Sequence, residues 1–108
     1  EEGSSALWHL TSNDGITFSV YAKTSFPMDG ESVTPESGIW VKDRFHLFVS
    51  TTAGDIKSWS TKNGYDWYPD DGVCLSAENG HAFVKDATIV ELADGRQLMI
   101  YVTDIIED

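Results

Sequence analysis

The chain has 108 residues, 41% hydrophobic and 12% aromatic, and its 18 Asp and Glu against 7 Lys and Arg give a formal charge of −11. That apolar and aromatic content offsets the ordering entropy of a fold and excludes a disordered chain, while the acidic balance repels a phosphate backbone and excludes nucleic acid and anionic membrane as partners. No apolar run approaches the roughly 18 residues of a spanning helix, and the start Glu1-Glu2-Gly3 has neither basic nor apolar leader character, so the chain as it stands reads as soluble and is compatible with secretion after removal of a leader.

From the N-terminus, short runs rich in β-branched and aromatic residues predict strands at Leu7–Leu10, more weakly around Ser19-Val20-Tyr21, then at Gly38–Val41, Phe45–Val49, Ile56–Trp59, Thr88–Leu92 and Gln97–Val102. Between them stand Asn13-Asp14-Gly15, Lys42-Asp43, Asn63-Gly64, Asp71-Gly72 and Asp94-Gly95. Asn-Gly and Asp-Gly suit the positive φ angles of tight turns. No segment carries a helical pattern. The single cysteine, Cys74, sits in the apolar run Val73-Cys74-Leu75 and is expected to be a small buried hydrophobe.

The segments repeat. Ser12-Asn13-Asp14-Gly15-Ile16-Thr17-Phe18 aligns without gaps on Thr61-Lys62-Asn63-Gly64-Tyr65-Asp66-Trp67, with Leu7 on Ile56 and Leu10 on Trp59. Glu36–Val41 then matches Asp86–Glu91, and Phe45–Val49 matches Gln97–Tyr101 after a longer loop at Ala93-Asp94-Gly95. A period of about 50 residues holding four short strands predicts an all-β chain of β-propeller type. Its phase is half, whole and half: outer strands of one blade over 7–35, a complete blade over 36–84, and the inner strands of a third over 85–108.

The Ser12–Phe18 segment and its partner resemble the Asp-box turn of sialidases and, more loosely, of five-bladed glycosidases of the arabinanase type. Lys85–Tyr101 is similar to the Asp-Pro-Ser-Ile and Asp-Gly-Arg pattern of that broad group, and Thr34–Ser50 looks like its Glu-Gly-Pro blade. The resemblance implies a carbohydrate-active or carbohydrate-binding propeller with its site at the central axis. It also implies that a carboxylate just before an innermost strand faces the tunnel, where acid and base sit on different blades; Glu36 and Asp86 hold those places. Two carboxylates whose environments push their pKa values apart can divide those roles. Departures are visible: Ala87 rather than proline follows Asp86, only two of three acids are present, and Arg44 and Arg96 are too few for the arginine cluster of a sialidase. Two readings stay open, a glycosidase-like site and a noncatalytic module or propeller fragment that binds glycan or protein.

Trp40, Trp8 and Trp59 are candidate sugar-stacking surfaces, the alternative being packing between sheets. His9, His46 and His81 lack close metal-ligand spacing, so neither metal nor cofactor is implied. Asp14 reads as the acceptor of a surface turn, and Asp70-Asp71 as solvated surface. The phase of the repeat sets an expectation about partners. A lone chain would leave sheet edges at Leu7–Ser12 and Gln97–Ile105, and head-to-tail closure with other copies would remove them. Two blades per chain require an even-numbered ring, a trimer of six blades being favoured over a dimer of four.

Overall fold

The computed structural model describes residues 7–24 and 33–106. The protein is all-β: the described residues form eight antiparallel strands and no helix. The chain divides into two compact units, Glu1–Ser32 and Val33–Asp108. In the first, β1 (Leu7–Thr11) and β2 (Ser19–Thr24) form a hairpin. His9 pairs with Ala22 and Leu10 with Val20, so the register shifts by one residue there.

In the second unit β3 (Val33–Val41), β4 (Arg44–Thr51), β5 (Ile56–Thr61) and β6 (Tyr68–Pro69) form one sheet in chain order, and β7 (Val84–Glu91) and β8 (Gln97–Thr103) form a hairpin. Directly opposed residues share a face of the pleat. One face of the larger sheet therefore carries Ile39, His46, Phe48, Ser58 and Ser60, and the other carries Gly38, Trp40, Phe45, Leu47 and Trp59. The first of these faces packs on the hairpin. Ile56, Val84, Ala87 and Ile89 are buried there, with Ile39, Phe48, Leu75 and Met99 against them. Ile56 is fully buried, which is worth roughly 1.5–3 kcal/mol relative to exposure.

Both Asp-box-like segments fold into the same turn. The Ser12 hydroxyl accepts the amides of Asp14 and Gly15, and Oδ1 of Asp14 accepts those of Ile16 and Thr17. Thr61 does the same for Asn63 and Gly64, and Oδ1 of Asn63 for Tyr65 and Asp66. Gly15 stands at φ 77° and Gly64 at φ 85°, the left-handed region that glycine enters without steric cost.

Strand pairing corrects one part of the expected repeat. Ile39 and Ile89 both pack into the core between the two sheets, so they face one another, whereas equivalent residues of a repeated sheet share one sense. Aligning Gly38 with Ile89 restores the sense, and the pairs Gly38 to Leu47 and Ile89 to Met99 then correspond. Val33 to Thr51 likewise corresponds to Val84 to Thr103. The match of Phe45–Val49 to Gln97–Tyr101 fits this alignment, while β3 and β7 correspond one residue away from the expected register. Ala87 is then the counterpart of Glu36, and Asp86 that of Pro35. A similar acid and isoleucine in each segment favoured the other register; burial decides, because a one-residue slip turns every side chain to the opposite face.

Cys74 is exposed, contrary to the expectation from its apolar neighbours. The amides of Cys74 and Leu75 donate to the carbonyl of Ile56, which fastens the segment beside β5. Leu75 then packs on the core. The Cys74 thiol donates to the Ser58 hydroxyl at 3.4 Å, so the residue is exposed while its sulfur lies against β5.

Candidate functional site

Glu36 and Asp86 both stand at β-bulges. In β3 the register shifts between Pro35 and Ser37, and in β7 between Lys85 and Thr88. A bulge re-aims its residues and leaves amides outside the ladder. The carboxylate of Glu36 takes up those of the second bulge, accepting the backbone N–H of Asp86 and, at 3.3 Å, that of Ala87. The Ser37 hydroxyl accepts the N–H of Ile89 at 3.3 Å. Asp86 itself lies at φ 57°, where an aspartate is tolerated better than most side chains. The structure thus brings the two residues together, with the Glu36 carboxylate engaged by backbone donors and the Asp86 side chain exposed.

A second cluster, read from sequence only as solvated acid and scattered histidine, lies on the polar half of the core-facing side of β4–β6. Asp70 Oδ2 shares a hydrogen bond of 2.9 Å with His46 Nδ1 and accepts one of 2.6 Å from Ser58. Its other oxygen accepts from Ser60 at 2.9 Å, and Arg44 Nε donates to the Ser60 hydroxyl at 3.1 Å. Burial pushes the Asp70 carboxyl up, but the hydrogen bonds from Ser58, His46 and Ser60 outweigh it and hold the group below its usual range. The carboxylate is the hub, with both serines donating to it. Neither serine is oriented towards His46 as a nucleophile towards its base, so the arrangement locks β4 and β5 to the residue just after β6 rather than activating a hydroxyl. The alternation Arg44-x-His46 and Ser58-x-Ser60 was the available signal for it.

The tryptophans separate by exposure. Trp40 and Trp8 are each 58% exposed and Trp59 only 4%, so Trp59 presents no stacking face. Trp40 is 5.7 Å from the Phe45 ring, which meets Trp67 edge-on at 6.3 Å. A cavity of about 350 Å³ lies between the larger sheet and the β7–β8 hairpin, lined by Ile39, Phe48, Ile89 and Met99 with His46 and Gln97 as its polar members. Such largely apolar walls offer a sugar few hydrogen bonds. Among the described residues no group of three or more His, Cys, Asp or Glu is placed to hold a metal ion.

In comparisons with protein-family models, curated proteins and solved structures, nothing matches the chain.

Proposed function

We propose that the chain is a segment of a β-propeller that binds carbohydrate without cleaving it, each copy supplying about two four-stranded blades to a ring closed by other copies, three being favoured over two. The observation that carries this reading is the clasp at the bulges, where one oxygen of the Glu36 carboxylate, Oε1, accepts the amides of both Asp86 and Ala87. A general acid or base must offer its carboxyl to substrate, and here the Oε1 oxygen holds the larger sheet to the β7–β8 hairpin instead. The exposed Trp40, backed by Phe45, offers a flat apolar surface of the kind on which a sugar ring stacks.

Titrating a panel of plant and animal oligosaccharides while following tryptophan fluorescence tests the binding. At least one glycan should quench the signal, Trp40→Ala should weaken it tenfold or more, and aryl glycosides should not be turned over. Turnover that disappears in Glu36→Gln would replace this reading with the glycosidase one. The absence of any glycan response would remove carbohydrate from it.

A further inference from the structure

Among the described residues, β8 and β1 each have one strand neighbour, β7 and β2. The larger sheet has the order β3-β4-β5-β6. By the repeat, β7 and β8 correspond to its first two strands, and β1 and β2 to its last two. The exposed apolar side chains on these strands include Leu98 at 41%, Ile100 at 61% and Val102 at 45% on one face of β8, Tyr101 at 43% on the other, and Trp8 at 58% and Leu10 at 47% on β1. An edge strand with such a face is a template for another chain.

We infer that β8 pairs antiparallel with β1 of a second copy in one register, set by the β4 and β5 pairing of the same chain: Met99 opposite Leu10, Ile100 opposite His9 and Tyr101 opposite Trp8. Within the chain Leu47 is opposite Trp59, Phe48 opposite Ser58 and Val49 opposite Lys57. Leu47, Phe48 and Val49 correspond to Met99, Ile100 and Tyr101, and Trp59, Ser58 and Lys57 to Leu10, His9 and Trp8. The register places Met99 and Tyr101, with Leu10 and Trp8, on the side of the hairpin that packs on the larger sheet, so the seam continues an apolar face that the chain already builds. A slip of one residue would set that face against the opposite side. The partner is a second copy of this chain because β7-β8 and β1-β2, which by the repeat are the first and last strand pairs of one four-stranded sheet, are both present in it as separate two-stranded sheets. This inference rests on the ring proposed above.

Opposed residues of an antiparallel pair have Cα atoms about 4.5–5.5 Å apart, within the span of a disulfide. The test uses the full chain with Cys74→Ser, so that the exposed native thiol cannot cross-link. Mild oxidation of Leu10→Cys with Met99→Cys should give covalent dimers and a closed species of three chains on a nonreducing gel. His9→Cys with Ile100→Cys should do the same at sites on the other face, which guards against a folding defect in the first pair. Leu10→Cys with Leu98→Cys, one residue out of register, should stay uncrosslinked. An oligomeric parent whose in-register pairs fail to link, or whose out-of-register pair links instead, overturns the seam alone. A parent that stays monomeric by light scattering at all concentrations overturns the ring and the seam together.

Discussion

The Phe45 ring lies over Gly38 and fills the space that a β-carbon on Gly38 would occupy. Gly38 pairs with Leu47 and Trp40 with Phe45, so the ring leans diagonally across the strand pair onto the one residue with no side chain. Gly38→Ala should force the ring out of its contacts with Trp40 and Trp67 and destabilise the protein by about 1–3 kcal/mol, the usual cost of overpacking. Urea unfolding should show a lower midpoint at unchanged slope. An unaltered midpoint would mean that the ring is not held there.

Asp70→Ala should cost about 1–3 kcal/mol, because the hydroxyls of Ser58 and Ser60, 5% and 2% exposed, lose their shared acceptor. The pH dependence has a definite sign. The folded carboxyl is held below its ordinary value, so the stabilisation is present above the unfolded-state value and is lost as pH falls through the folded one. Denaturation between neutral pH and about pH 2 should therefore be shallower in Asp70→Asn than in the parent, with the difference confined to the range below about pH 4.

Asp14 is held low by the amides of Thr17 and Ile16 and by the Ser12 hydroxyl. Asn63 performs the same bonding in the second turn with an uncharged amide oxygen. Asp14→Asn should accordingly keep the neutral-pH urea midpoint of the parent and remove the part of its acid sensitivity that belongs to this turn. Asp14→Ala, which has no acceptor, should accelerate hydrogen exchange at Ile16 and Thr17 while leaving β3–β8 unchanged.

Cys74 should react with a thiol reagent such as iodoacetamide in the native protein, at a rate within about tenfold of that in denaturant, because its side chain is exposed. Complete protection until unfolding would return it to the buried role that its sequence neighbours suggested.

Seven of the eight described strands and both Asp-box-like turns were legible because they rest on local signals: alternation along Phe45–Val49, and a hydroxyl, an Asp or Asn and a glycine at fixed offsets; β6, two residues long with a proline in it, carries no such signal. What was not legible depends on pairing between segments. Glu36 and Asp86 look equivalent as letters, yet the need to bury Ile89 sets β7 one residue away. Cys74 is placed at an exposed position beside Ser58 by a pairing between Leu75 and Ile56 that no neighbouring residue announces. The Asp70 network draws on two strands, β4 and β5, and on the residue just after β6, and its acid stands beside Asp71 in what reads as an ordinary polar turn.

The clasp between Glu36 and Asp86 joins residues 50 positions apart, whereas the hairpins of β3 with β4 and β7 with β8 close over short turns. Hairpins form in roughly 1–10 μs, and the loop-closure entropy of a contact between distant segments must be met before that contact gives any return. The order of events is then set: hairpins first, docking of their faces next, and the carboxylate seated on the second bulge last. An interaction made after the transition state leaves the folding rate alone and governs the rate of escape from the native state. Glu36→Ala should therefore steepen nothing on the refolding limb of a chevron and instead raise the unfolding limb, which makes this carboxylate a latch on the lifetime of the folded chain.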